Sequence, residues 1–312
     1  MVDLLNITSI TFNGYVEVQK YRYVYFMILF TAYVLIICFN FTIVFLIWKH
    51  KNLHEPMYIF IAALLINSVF YSTNIYPKLL TDVLSDKQVI SYSASLFQWF
   101  AYYSLGGSEF LLLAAMSYDR YVSVCKPLHY TTIMRKTTVS LLLLFCWIVP
   151  GCHVAVTVAW SADKQLCNLN LKGIFCNNSV YELHCVSSRA LSVYGVIVLL
   201  NIALFPMLFI VVTYIKILII SYGSGRVLRK KAAETCTPHL LVLISFSCLC
   251  VYDVVILRVA TDFSKTARLI MTLQIVLSNP LFNPIIYGLK MKEISKHMKK
   301  SWIKAKFIQT AN

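Results

Sequence analysis

The chain has 312 residues, 59% of them hydrophobic and 13% charged, with a net charge of +15. Soluble globular domains carry about 25% charged residues, so the composition excludes an ordinary soluble domain and indicates an integral membrane protein. The excess of Lys and Arg sorts with membrane topology, as shown below, and gives no ground for a nucleic-acid partner.

Residues 1–22 carry one glycosylation acceptor, Asn6-Ile7-Thr8, usable where this end faces the secretory lumen. They lack the basic start, short apolar core and cleavage site of a removable signal peptide, so none is expected. Seven apolar spans of about 20 residues or more follow, at roughly 23–48, 57–80, 94–124, 138–160, 191–221, 233–257 and 267–288. The second holds Asn67, Asn74 and Pro77, and the seventh holds Gln274, Asn279 and Asn283. Helices this polar are expected to face one another inside a compact bundle.

The third span ends in Asp119 and Arg120. Buried charges cost several kcal/mol unless they are paired or perform a function, which makes this dipeptide a candidate site. Pro150, Pro206, and the pair Pro280 and Pro284 interrupt the fourth, fifth and seventh spans. Each removes a donor and frees the carbonyl four residues earlier. In the seventh span the amides of Asn279 and Asn283 are expected to serve the freed carbonyls at a hinge.

Most of the ten cysteines lie within spans and read as small core residues. Cys167, Cys176 and Cys185 share the one long loop, residues 161–190, and three connectivities are open to them. No soluble domain flanks the spans, so a ligand must enter the bundle or sit beneath this loop. Beyond residue 288, Leu289, Met291, Ile294, Met298 and Trp302 recur at helical spacing among lysines, predicting an amphipathic helix on the inner leaflet lipid.

Assigning loops alternately, the side holding KHKNLHEP, CKPLHYTTIMRK, RVLRKKAAE and the C-terminal tail carries 18 of the 28 Lys and Arg residues. The positive-inside rule makes that side cytoplasmic, and an odd number of spans places the N-terminus outside. The expected fold class is an all-α membrane protein, a seven-transmembrane helix bundle with a short amphipathic eighth helix. The divisions fall at 1–22, 23–288 and 289–312.

Five ordered stretches resemble the rhodopsin-like G-protein-coupled receptors and, within them, the olfactory receptors. They are LHEPMYIF at 53–60, PK at 77–78, MSYDRYVSVCKPLHYTTIM at 116–134, KAAETCTPHL at 231–240 and NPLFNPIIYGLKMKE at 279–293. The resemblance implies a plasma-membrane receptor that binds a small-molecule odorant in the outer half of the bundle and activates a stimulatory heterotrimeric G protein at the cytoplasmic face. It implies that Asp119 restrains Arg120 at rest, within an Asp119-Arg120-Tyr121 triplet. On activation Arg120 would turn to Tyr214 and to Tyr287 of the Asn283-Pro284-Ile285-Ile286-Tyr287 motif. The ligand-facing positions would be Tyr102, Tyr103, Gly106, Val198, Ile202, Cys250, Val251, Val254 and Leu273, a lining suited to a small, mostly neutral molecule.

The chain also departs from that family. Ser95 stands where receptors of this class bear a cysteine bridged to the long loop. By the family pattern Cys167 and Cys185 pair, leaving Cys176 as a free thiol, with rearranged pairing as the alternative. Alkylation is then expected at Cys176 and not at Cys167 or Cys185. Ser68 replaces the sodium-binding aspartate of the second span, with Glu109 of the third span either a partial substitute or a protonated structural group. Ser247 stands where the sixth span usually has an aromatic residue. Asp253 and Arg258 at the outer end of that span would admit a polar or zwitterionic odorant if either faces the vestibule.

Two alternatives are a non-olfactory receptor for a lipid or peptide on the same scaffold, and a transporter. A transporter predicts internal pseudo-symmetry and paired broken helices, neither of which the sequence shows. No metal-ligand motif, nucleophile elbow or phosphate loop occurs, and HEPM lacks a second histidine, so no enzymatic site, metal or cofactor is expected.

Overall fold

A computed structural model describes residues 9–186, 188–223, 236–237, 239–248 and 264–300. Its long helices are α1 (Val18–Lys49), α2 (Pro56–Leu84), α3 (Tyr92–Cys125), α4 (Lys136–Ala162), α5 (Arg189–Gly223), α6 (described over His239–Cys248) and α7 (Lys265–Lys290), followed by α8 (292–300). Together they form the seven-helix bundle and its short eighth helix. The sequence marks several starts: Pro56 occupies the first turn of α2, where its missing N–H costs nothing. Ser91, Ser188 and Ser264 cap α3, α5 and α7 by accepting from Ala94, Leu191 and Ala267 backbone N–H groups.

Among the described helices, α1, α2, α4, α5 and α7 are long and apolar enough to cross a bilayer. At 1.5 Å per residue, the 32 residues of α1 reach about 48 Å, beyond a hydrocarbon core of about 30 Å. Helix α3 is longer still but more polar, because it stands in the middle, against α2, α4 and α5. Polar side chains there meet protein instead of lipid. Helix α7 closes the bundle against α1 and α2.

Pro206 leaves a mark on α5. The preceding residues, Leu200–Leu204, form a π-helical turn, which relieves the clash a proline ring makes with the turn before it. That widened turn carries Ile202 and Ala203, both buried in an otherwise lipid-facing stretch.

One end of the bundle is roofed by a small sheet that the sequence did not predict. Strand β1 (Ile10–Phe12) lies between β2 (Val89–Ile90) and β3 (Asn170–Leu171), antiparallel to the first and parallel to the second. Beyond β1 the Gly14 N–H donates to the Gly173 carbonyl at 3.1 Å. A Cβ on Gly14 would lie 2.5 Å from the Gly173 carbonyl carbon, so only glycine permits this crossing. Ile10, Phe12, Leu171 and Phe175 turn inward and are buried with the ends of α2, α3 and α7 in one apolar cluster. Helix α1 starts at Val18, before the expected boundary at 23, and Asn6 lies outside the described residues.

At the other end α8 folds back. Ile294 is fully buried and packs with Met291 and Met298 on the neighbouring core, so much of its apolar face meets protein where lipid was expected. The His297 ring stacks on His50 with centroids 3.9 Å apart, and its Nε2 lies 3.1 Å from Asn52 Nδ2. These contacts tie α8 to the turn between α1 and α2.

Candidate functional site

A cavity of about 150 Å³ opens beneath the sheet. Its α3 wall is one helical face, with Trp99, then Tyr102 and Tyr103, then Gly106 and Gly107, then Phe110, recurring every three or four residues. Gly107 packs so closely on Ile202 and Pro150 that a Cβ would fall 2.6 Å from the Ile202 side chain. Gly106, by contrast, has nothing within 4 Å of the position a Cβ would take. Tyr71 of α2, Val154 and Thr157 of α4, and Gly195, Val198 and Ile202 of α5 continue the wall, while Asn178 and Tyr181 roof it from the long loop.

Five expected ligand-facing residues line this space: Tyr102, Tyr103, Gly106, Val198 and Ile202. Leu273 is not among the lining residues; it packs against the apolar cluster under the sheet. Cys250, Val251, Val254, Asp253 and Arg258 lie outside the described residues. Trp99 and Phe110 also line the cavity, and helical spacing around Tyr103 is the signal that marks them. Asn178 and Tyr181 gave no such signal, because a short helical turn at 178–183 positions them.

The loop that supplies this roof holds a disulfide between Cys167 and Cys185. Cys176 is a free thiol and is fully buried. The thiol left over by the bridge is thus Cys176, and its burial shields it in the native fold. Its thiol faces Ser95, and burial pushes its pKa up to about 12 against smaller opposing effects of Ser95 and Lys78. Backbone polar groups replace the missing covalent tether. The Cys176 N–H donates to Gln98 Oε1 at 2.8 Å. Gln98 is itself fixed to α2, its Nε2 donating to the Asn74 carbonyl at 3.2 Å while Asn74 Nδ2 donates to the Gln98 carbonyl at 3.0 Å.

Below the cavity lies a buried polar cluster. Asn279, which also lines the cavity, donates to Glu109 Oε2 at 2.6 Å. Asn283 Nδ2 donates to Glu109 Oε1 at 2.9 Å and to Ser68 Oγ at 3.1 Å. Both asparagines are thus committed to Glu109, and neither serves a carbonyl freed by proline. That task falls to Asn40 of α1, whose Nδ2 donates at 2.9 Å to the Pro280 carbonyl, the group that Pro284 leaves without its helical donor.

At the end away from the sheet, Arg120 Nε donates to Asp119 Oδ2 at 2.9 Å and its Nη2 bonds the same oxygen. The Tyr130 hydroxyl donates to Asp119 Oδ1 at 2.9 Å. Asp119 is 0% and the Arg120 side chain 11% exposed, so neither charge has water enough to stand alone. Burial pushes the Tyr130 phenol pKa up, and the Asp119 carboxylate adds to the shift, which keeps Tyr130 a donor. Tyr287 is buried with its hydroxyl 3.4 Å from His239 Nδ1. Tyr214 is buried, and its hydroxyl has no hydrogen-bond partner among the described residues. Tyr121 packs at the edge of the same core. The structure thus holds Arg120 on Asp119, with Tyr214 and Tyr287 nearby in the same core and not bonded to it.

Comparison with known proteins agrees with this architecture. The family model for the olfactory receptor matches residues 29–305. Olfactory receptor 4S2 of Homo sapiens is 30% identical over 99% of this chain and 99% of its own length. Olfactory receptor 6F1 of Homo sapiens is 31% identical over 93% and 94%. Olfactory receptor 4B13 of Mus musculus is 30% identical over 97% and 98%. A family match across most of the chain, with relatives aligned end to end, shows that the chain belongs to the olfactory receptor family of G-protein-coupled receptors.

Proposed function

We propose that the chain is a multi-pass plasma-membrane odorant receptor, with its N-terminus and sheet outside and its C-terminus in the cytoplasm. An odorant binds in the cavity beneath the sheet, and a stimulatory heterotrimeric G protein docks at the end that holds Arg120. The observation that carries this reading is the double role of Asn279. It faces the cavity and also donates to Glu109, which in turn holds Asn283 on the turn of α7 leading to Tyr287. A guest that displaces Asn279 loosens a buried network in which Glu109 accepts from Asn279 and Asn283, and Asn283 donates on to Ser68. Helix α7 holds Pro280 and Pro284 there, which already remove two helical backbone bonds, so it can respond at little backbone cost.

Arg120 is the group that reports the change. Its ion pair is stable while Asp119 and Tyr130 enclose it, and release toward Tyr214 and Tyr287 exposes a guanidinium to the cytoplasmic partner. Asp119, Arg120, Tyr121, Tyr214, Asn283, Pro284 and Tyr287 form the switch, and the lining residues named above form the ligand site. Membership of a receptor family supports signalling over enzymatic turnover as the chain's role. The test is a cyclic-AMP reporter in cells expressing the chain against a panel of small odorants. At least one odorant raises the signal, and Arg120→Ala at equal surface expression abolishes the rise. A mutant that signals as well as the parent overturns the coupling scheme.

A further inference from the structure

The cavity wall is two-sided, and this asymmetry, taken with the receptor reading above, defines the ligand class. Tyr71, Trp99, Tyr102, Tyr103 and Tyr181 supply one side. Their rings already meet in the geometries aromatic pairs prefer: Tyr71 and Tyr102 with centroids 5.3 Å apart, Tyr102 and Tyr103 edge to face at 4.8 Å, and Trp99 and Tyr181 edge to face at 5.1 Å. The α5 side offers only Gly195 and aliphatic residues. Gly106 and Gly195 both leave more than 4 Å free around an added Cβ, so neither helix pushes a side chain into the space there.

Size and charge narrow the choice further. An apolar cavity of about 150 Å³ in another protein admits benzene, and this one has the same volume. Among the described residues no side chain charged at pH 7 lines it, and the nearby Glu109 carboxyl accepts from Asn279 and Asn283 on both oxygens. The attraction of a cation to the rings is smaller than the cost of burying its charge unpaired.

We propose that the cavity is selective for a neutral, single-ring aromatic molecule with at most a small substituent, held against Tyr102 and occupying the space left by Gly106 and Gly195. The full chain in lipid nanodiscs is titrated with toluene and with methylcyclohexane, its saturated counterpart, reading the concentration for half-maximal thermal stabilisation. Toluene is expected to act at a concentration at least about tenfold lower, the equivalent of about 1.4 kcal/mol. Gly106→Leu, which fills the cavity while favouring the helix, abolishes the effect, and Tyr102→Leu brings the two ligands to near parity. Ethylbenzene is expected to outperform benzylamine, its cationic counterpart at pH 7.

Equal or better binding of methylcyclohexane, tighter binding of benzylamine than ethylbenzene, or toluene stabilisation that survives Gly106→Leu each overturns the proposal. Such results leave the receptor reading intact if other odorants still raise cyclic AMP through Arg120. Aromatic selectivity in nanodiscs without any odorant-driven cyclic-AMP signal overturns the receptor reading alone.

Discussion

Cys176 should be among the slowest thiols of the native chain to alkylate, although no disulfide protects it. The thiolate is the reactive species, and burial pushes this thiol from the ordinary 9.0 up to about 12. At pH 8 the thiolate fraction falls from about 10⁻¹ to about 10⁻⁴, a slowing of about a thousandfold before steric shielding is added. Gln98→Ala removes the acceptor of the Cys176 N–H and the donor to the Asn74 carbonyl. Only the bond to the Cys176 N–H is broken when the roof opens, so its loss, at about 1 kcal/mol, favours opening by about fivefold in rate. The assay is iodoacetamide labelling of the solubilised chain at pH 8, quenched at intervals and mapped by peptide mass spectrometry, with the denatured chain as reference. Labelling of native Cys176 at the denatured rate, or a Gln98→Ala chain that labels no faster than the parent, would refute the shielding argument.

Four further outcomes follow from the same contacts. Glu109→Leu strands the Asn279 and Asn283 amides and should destabilise the bundle by about 2 to 6 kcal/mol, with Glu109→Gln intermediate; thermal unfolding in detergent that ranks Leu with the parent contradicts the network. Ser95→Cys should bridge to Cys176 and raise the thermal midpoint, since closing a long loop constrains the unfolded chain by about 4 kcal/mol. Non-reducing peptide mapping that finds no such bridge counts against the placement of Cys176. Tyr130→Phe removes a bond to the Asp119 carboxylate worth about 1.5 to 3 kcal/mol, so ligand-independent cyclic-AMP signal should rise, and an unchanged basal signal removes Tyr130 from the restraint. Asn40→Leu leaves the Pro280 carbonyl unpaired at a cost of about 1 to 3 kcal/mol, and a variant as heat-stable as the parent would show that this bond contributes nothing.

Much of the bundle was legible because a membrane span must be long and apolar, a constraint that acts over about 20 residues at once. The Asp119-Arg120 pair stood out as a candidate for the opposite reason: charge at the end of such a span has few roles. Helix α3 shows the limit of hydropathy, since its central position lets it carry Gln98, Glu109 and Asp119 buried among protein. The sheet was invisible because its strands have two or three residues each, too few to show alternation, and are drawn from segments far apart between residues 10 and 171. Asn40 was missed because it sits in a span that reads as uniformly apolar, and its partner is 240 residues away. The wall contributed by Asn178 and Tyr181 depends on a loop whose path is set by the Cys167–Cys185 bridge and by Gln98, and no periodicity reports that path.

In the proposed function Arg120 couples the bundle to a G protein while the cavity at the far end receives the ligand. Nucleotide exchange on a purified stimulatory heterotrimeric G protein, measured with the chain in nanodiscs and an odorant that scores in cells, tests it most directly. Ligand-stimulated exchange is expected from the parent chain, and exchange at the ligand-free rate from Arg120→Ala with odorant binding retained. Stimulated exchange by Arg120→Ala equal to that of the parent would contradict it.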